Sequence, residues 1–476
     1  MKSSLLRTAS VGFLILSFLG LSSSYADHAP TIDEVLFPSS HLSITTDAAI
    51  VKKDGKVLYE RYANGYSAES KHVSWSVAKS ILGIMTGIAV ERGYLKYTDP
   101  VRKWFPAFTG TATVLDLIQM SSGIDFQEEY LGLPVRADVV RMLYLDGPKQ
   151  GFADYVVSRP LRGKDAEPGK HFYYSSGDTA VLSEILRLSM PKRVYDTFPW
   201  DAIFNPLGIR GAVFERDRKG AFIGSSYMYL RIKDYLKLGE LVMNRGVFRG
   251  KRIIPKSYFK LMTEVAPGVN VAAVDGATYT TAYSAQARTN LPIPGRGCGS
   301  EFPDLPLDTV ILFGHQGMVI AGSPSQKLVV LRVSVDRGSM NIRGNYFTAV
   351  RQFLKGRGKD IDASLPTDTR KCITPWEVAM RTVQAQRRVA LKEYKRTPTV
   401  LRQVITKEFC SCIFVLGRTE EQCVADQRNT FPIVPKFTID RKAKTVSAGE
   451  DFVSLARYKG GRDGCRLQSG TLGYNP

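Results

Sequence analysis

Apolar positions follow two different rhythms along the chain. In Trp75-Ser76-Val77-Ala78-Lys79-Ser80 and the following Ile81-Leu82-Gly83-Ile84-Met85 they are dense and continue to about Arg92, with Gly93 as a stop. That density predicts a helix buried on most sides. Ala48-Ala49-Ile50-Val51-Lys52 and Val57-Leu58-Tyr59-Glu60-Arg61-Tyr62 instead flank Asp54-Gly55, which predicts a hairpin. Val114 to Met120 reads as a short amphipathic helix ended by Ser121-Ser122-Gly123, and residues 132–165 mix helical pattern with loop. A polar loop, His171 to Asp178, opens a second buried helix from Thr179 to Leu186. Helix, turn and helix are expected over 201–257, with Phe204 to Ile209 as a loop and a one-faced helix from Arg231 to Leu241. Residues 264–307 are rich in Gly, Pro and Ala and read as loops and an insertion. Thr309 to Ala321 and Leu328 to Val335, joined by a turn over Gly322 to Lys327, read as consecutive antiparallel strands, with His315 on a strand. Residues 342–356 return to a helical pattern.

The tail, about 361–476, has its own character. Thr374-Pro375 is a good helix start, and Trp376, Met380, Val383, Ala390 and Tyr394 form a stripe that Arg387 interrupts. The reading is a helix packed on the rest of the chain with a solvated basic face; a helix lying on a membrane surface is the rival. Phe409 to Leu416, Lys436 to Asp440, Lys444 to Ala448 and Phe452 to Tyr458 look like short strands. The six cysteines are Cys298, Cys372, Cys410, Cys412, Cys423 and Cys465, so the tail is where staples belong. Cys410 and Cys412, on one face of a strand, would not bridge each other. A zinc cluster is the rival to disulfides, but none of the five histidines falls in the tail.

The N-terminus supplies the compartment. Lys2 and Arg7 precede the apolar run Val11 to Leu21, and Ser24-Tyr25-Ala26 offers small residues at a cleavage site. This predicts a secretory signal peptide over 1–26, with an uncleaved anchor as the alternative. The run is short for a membrane span, and no later stretch is apolar enough for one. The mature chain is expected to be secreted or periplasmic, where disulfides persist. With 44% hydrophobic and 10% aromatic residues in 476, there is ample material for a packed core. The net charge of +20 suits acidic surroundings such as cell-wall polymers or an anionic surface. No nucleic-acid motif accompanies it.

The candidate chemistry starts at the buried helix. Ser76 and Lys79 lie three apart and share a face. Ser76 sits in the first turn, where free N–H groups and the helix dipole favour developing negative charge. A hydroxyl and an amine that can serve as base therefore arrive together. Tyr174 offers a phenol, which can act as a base beside an ammonium. Gly317 would let a ligand approach the backbone, with the N–H of Met318 aimed at an oxyanion.

Ser76-Val77-Ala78-Lys79, Tyr174-Ser175-Ser176 and His315-Gln316-Gly317 stand in the order of the three signature elements of class C β-lactamase-like serine hydrolases, which the chain resembles. That group takes in penicillin-binding DD-peptidases, β-lactamase-like esterases and 6-aminohexanoate-oligomer hydrolases. Leu117 to Gly123, Pro206 to Ile209 and Asp234 to Gly239 add to the likeness, and Ile124 to Tyr130 resembles the aminohexanoate-hydrolase branch. The resemblance covers roughly residues 30–360. It implies an α/β (α+β) fold over 27–360: an antiparallel sheet flanked by helices plus a helical subdomain. The tail, 361–476, is outside the resemblance and reads from its own residues as a small disulfide-stapled α+β module. The resemblance also implies an acyl-enzyme on Ser76, a base pair of Lys79 and Tyr174, and an oxyanion hole from the N–H groups of Ser76 and Met318. Ser176, His315 and Gly317 would line the substrate site, and no cofactor or metal is called for. His315 replaces a lysine of the β-lactamases and DD-peptidases, and Ser176 replaces an asparagine of class C β-lactamases. Both changes point to ester and linear-amide hydrolases. The expected partner is a small-molecule or peptide substrate. The other class of function is a penicillin-binding-type protein that holds cell-wall peptides or a partner with little turnover.

Overall fold

The computed structural model describes residues 31–39, 44–128, 137–163, 167–270, 282–293, 299–336, 342–363, 397–430, 437–448 and 454–468. The expected leader and the stripe from Trp376 to Tyr394 lie outside them, as do Cys298 and Cys372.

Strands β1 (Thr46–Lys53) and β2 (Lys56–Tyr62) form the expected hairpin. β3 (Lys71–Val73), β4 (Val213–Phe214) and β5 (Met228–Arg231) make a small sheet in the order β3-β5-β4. β6 (Val247–Phe248) pairs with β7 (Lys251–Arg252). β8 (Ala282–Ser284), β9 (Ala287–Thr289), β10 (Val310–Phe313), β11 (Val319–Ser323) and β12 (Leu328–Ser334) complete a seven-stranded antiparallel sheet, order β2-β1-β12-β11-β10-β9-β8.

The near-continuous apolar runs of the central strands have a structural reason: both faces of the sheet are covered. Ala48, Ile50, Leu312, Ile320, Leu331 and Val333 face the larger core. It includes α2 (Val77–Glu91), α3 (Val114–Ile118), α4 (Ser176–Ser189) and α5 (Ile232–Met243). The alternate residues Ala49, Val51, Ile311, Phe313, Val319, Ala321 and Val330 face a second core. That core is closed by α1 (Ile32–Leu36) and α6 (Ile342–Gly356). The period-two split is what a strand buried on both sides requires.

Several expectations need correction. His315 is not on a strand: β10 ends at Phe313, β11 begins at Val319, and His315–Gly317 is one 3₁₀ turn between them. Gln316 and Gly317 both have positive φ, which breaks the ladder that the apolar run suggested. Residues 201–257 hold a π-helical turn at Trp200–Phe204 and four short strands as well as α5. The loop-like stretch 264–307 contributes β8 and β9 to the main sheet.

In the tail, α7 (Thr397–Phe414) and α8 (Glu420–Thr430) precede β13 (Phe437–Asp440), β14 (Thr445–Ala448), β15 (Ser454–Tyr458) and β16 (Cys465–Leu467). These strands form one antiparallel sheet in sequence order. The stretch from Phe409, expected as a strand, is helical through Phe414. A short apolar run does not separate helix from strand, and packing against β14 and β15 decides it here. Two residues apart on a helix, Cys410 and Cys412 point about 200° apart. They reach different partners, Cys410 bonding Cys465 and Cys412 bonding Cys423. Phe409, Cys410, Ile413, Val446 and Leu467 join the same core as α2. Among the described residues no helix is long and apolar enough to cross a membrane.

Candidate active site

Ser76 is the N-cap of α2 and makes no side-chain cap bond, so its hydroxyl is available for other contacts. Lys79, one turn on, is 1% exposed, and its Nζ donates to Ser76 Oγ at 2.9 Å and to the carbonyl of Ser225 at 2.9 Å. Burial of Val77 through Ala89 fixes the helix rigidly beneath Ser76. Trp75, just before it, has φ +43, an unfavourable region for a bulky side chain.

The second segment brings Tyr174. Lys79 Nζ lies 5.0 Å from the centroid of its ring. Tyr283 meets the same ring edge-to-face, with centroids 6.0 Å apart. The residues after α3 hold this loop. Tyr173 N–H donates to Met120 O at 2.9 Å, and Ser175 N–H reaches Met120 Sδ at 3.4 Å. Ser175 then caps α4 by accepting from the Asp178 N–H at 2.9 Å. Asp178 accepts from Ser122 Oγ at 2.7 Å. Burial pushes the Asp178 carboxyl up to about 7, against the hydrogen bonds from Ser122 and Ser175.

Ser176 is 2% exposed and turns inward. Its N–H and hydroxyl both donate to Glu128, at 2.8 and 2.6 Å, so the hydroxyl expected at the substrate wall is engaged with a carboxylate. Removal from water raises the Glu128 carboxyl, while the charge of Lys79 and the two Ser176 donors pull it down. Glu128 therefore belongs to the electrostatic neighbourhood of Lys79.

The third segment is the turn after β10. Trp75 Nε1 donates to Gln316 Oε1 at 3.0 Å, and the His315 ring meets Trp75 edge-on at 5.4 Å. Gly314 makes the approach possible: a Cβ there would sit 2.7 Å from Ser74 O. Gly317, at φ +84, leaves no room for a side chain either, since a Cβ would lie 2.2 Å from Asp336 Oδ2. Beneath it Arg332, 0% exposed, pairs with Asp336 at 2.7 Å and donates to Gly317 O at 3.0 Å. Ser334 Oγ donates to Gln316 O at 2.7 Å. The Ser76 N–H donates to no backbone or side-chain acceptor among the described residues, and Met318 follows the turn directly.

The structure thus gathers Ser76, Lys79, Tyr174, His315 and the backbone at Gly317 and Met318 around one region. Ser76, Tyr174 and Gly317 are part-exposed and His315 is exposed, so the group opens to solvent on that side. Sequence reasoning missed the Ser225 carbonyl, the Trp75–Gln316 bond and the Arg332–Asp336 pair. Backbone acceptors leave no trace in residue identity. An arginine inside the apolar strand Leu328 to Val335 was a readable signal, because a charge there needs a partner.

Comparison with known proteins bears on the fold and the family. A family model for Beta-lactamase matches residues 38–351. A 6-aminohexanoate-dimer hydrolase of Paenarthrobacter ureafaciens is 24% identical over 250 residues, 50% of this chain and 61% of that protein. The chain therefore spans about three fifths of the length of that curated relative. A solved Bacillus anthracis protein, provisionally named a 6-aminohexanoate-dimer hydrolase, superposes with TM-score 0.51 at 22% identity, over 67% of this chain and 81% of its own. A penicillin-binding protein homologue from Caulobacter crescentus gives TM-score 0.50 at 14% identity, over 68% and 96%. These likenesses show the fold, and the family match covers well over half of the sequence: the chain belongs to the beta-lactamase family.

Proposed function

We propose that the protein is an exported serine hydrolase that cleaves an ester or linear amide through an acyl-enzyme on Ser76. The observation that carries this reading is the buried Lys79 amine, whose Nζ stands 2.9 Å from both Ser76 Oγ and Ser225 O. An amine fixed that way is aimed at one hydroxyl and is not free to swing out to water.

Ser76 Oγ attacks the substrate carbonyl as its proton passes to the Lys79–Tyr174 pair. The N–H groups of Ser76 and Met318 receive the oxyanion, a contribution of about 3–4 kcal/mol per donor in this kind of chemistry. Tyr174 returns the proton to the leaving group. Water then attacks the acyl-enzyme with the same pair as base, restoring Ser76. His315 stands at the exposed rim beside Trp75, where it contacts the incoming substrate. It offers a weaker anchor for a carboxylate than the lysine of β-lactamases, which favours neutral or linear substrates over β-lactams. The relative's name, a 6-aminohexanoate-dimer hydrolase, supports the linear-amide side of this reading. Two disulfides in the tail support export, because such bonds persist in oxidising compartments.

A panel of chromogenic esters, linear amides and a chromogenic cephalosporin tests this. Ester or amide turnover above cephalosporin turnover, lost in Ser76→Ala, is expected. Equal turnover by Ser76→Ala would remove the nucleophile assignment. Penicillin binding without turnover of any substrate would move the protein to the binding class.

A further inference from the structure

The nucleophile's surroundings extend into a part of the chain outside the family match. The turn leading into β5 is stitched to the start of α2 on both sides of Tyr227. Ser225 O accepts from Lys79 Nζ, and Ser226 O accepts from Ser74 Oγ at 3.1 Å. Met228 O accepts from the Ser74 N–H at 2.7 Å. Tyr227 itself, buried between them, lays its ring on Trp75 with centroids 5.8 Å apart.

The tail helix α7 grips that same tyrosine. Glu408 Oε1 accepts from the Tyr227 hydroxyl at 2.6 Å and from Tyr144 at 3.2 Å. Lys407 Nζ stands 3.8 Å from the centre of the Tyr227 ring. Its charge is balanced by buried Glu215 at 2.6 Å, whose other oxygen accepts from the Cys465 N–H at 2.7 Å and from Ser411 at 3.1 Å. The Glu215 N–H donates back to Tyr227 O at 3.0 Å. The ring, hydroxyl and backbone of Tyr227 are therefore all fixed, and the Cys410–Cys465 bond anchors the clamp. Buried charges are costly to leave unpaired, so the clamp is a discrete arrangement and not a loose contact.

We propose that Glu408 and Lys407 are positioning residues of the hydrolase site: they hold Tyr227, and through it the Ser225 carbonyl that aims Lys79 at Ser76. The inference rests on the Ser76–Lys79 reading given above. It makes the tail a working part of the enzyme and not an appended module.

The test uses the full chain, a fluorophosphonate probe for the rate of acylation-type labelling, a chromogenic ester for kcat and KM, and thermal melting. Glu408→Ala should label about tenfold more slowly, with KM within about twofold, because misaiming a base lowers the rate and leaves binding intact. Glu408→Gln, whose amide oxygen still accepts from Tyr227, should restore most of the rate. Tyr227→Phe keeps the ring and loses only the hydroxyl. It should label about fivefold more slowly at temperatures well below its melting point. It also decides the matter if Glu408→Ala does not fold. A role in stability alone would lower the melting temperature and leave labelling at the wild-type rate, and that result in folded Tyr227→Phe overturns the proposal. Ser76→Ala run alongside separates the two claims. If it still labels, the nucleophile reading fails; if it is silent while Tyr227→Phe labels normally, only the positioning role falls.

Discussion

The main sheet and the tail sheet are stabilised by different means. In the seven-stranded sheet each central strand sends alternate side chains into two separate cores, and apolar packing covers both faces. In the four-stranded tail sheet, β13 is half exposed along its length, β14 and β15 bury one side, and two disulfides and a buried Lys407–Glu215 pair tie the module down. A module too small for a thick apolar core needs such staples. The chemistry follows the same division. Ser76 and Lys79, the proposed nucleophile and base, sit on a deeply buried helix, where burial supplies rigidity, while the tail reaches their neighbourhood through a few polar contacts of defined geometry.

The largest effect expected is on the rigid side. Lys79→Met should lower ester turnover by about 10²–10⁴-fold, the usual worth of a positioned base, with the fold retained. A variant with wild-type turnover would show that the rigid helix is scaffold alone. Next, Asp336→Ala leaves Arg332 buried without its partner. Unfolding by denaturant should show a loss of about 3–5 kcal/mol, and the His315–Gly317 turn should lose its support together with turnover. Removing the staples probes the other half. The Cys410–Cys465 bond closes a separation of 55 residues and Cys412–Cys423 one of 11. Chain entropy then puts their Ala-pair variants at about 4 and about 3 kcal/mol below wild type. Only the first should also slow labelling of Ser76, since only it anchors the Tyr227 clamp. Equal slowing by both would erase the distinction.

The last effect is a pH dependence behind Tyr174, spread over several pH units. Asp178 is raised in the folded chain from 3.8 to about 7. Below pH 4 both states hold the proton and the group favours folding fully. As pH rises toward 7 the unfolded chain ionises while the folded chain keeps its proton, so stability falls by up to about 1.4 kcal/mol per pH unit. Asp178→Asn, which still accepts from Ser122, should remove that slope. Melting curves from pH 4 to 8 with identical slopes in both proteins would contradict it.

What was legible in the sequence follows from how each residue earns its place. Ser76 and Lys79 were readable because one helical turn brings them together whatever the rest of the chain does. The β1–β2 hairpin was readable because Asp54-Gly55 determines its own turn. His315 was misplaced because the apolar residues on both sides continue the strand pattern, and only the conformation of Gln316 and Gly317 interrupts it. Phe409 to Phe414 was misassigned because a run of apolar residues carries no period when two neighbours compete for it. Ser176 was expected to face the substrate, yet Glu128, forty-eight positions earlier, draws it inward, a contact that no local pattern encodes. The Tyr227 clamp lay further out of reach, since it joins residues 181 apart through groups that each have ordinary surface uses.

The most direct test of the account is peptide mass mapping of the full chain after brief exposure to a fluorophosphonate. The account predicts a single adduct on the peptide containing Ser76, absent from Ser76→Ala, appearing in step with the loss of ester turnover. Ester turnover that disappears with the label on another residue, or that persists with Ser76 fully modified, would contradict it.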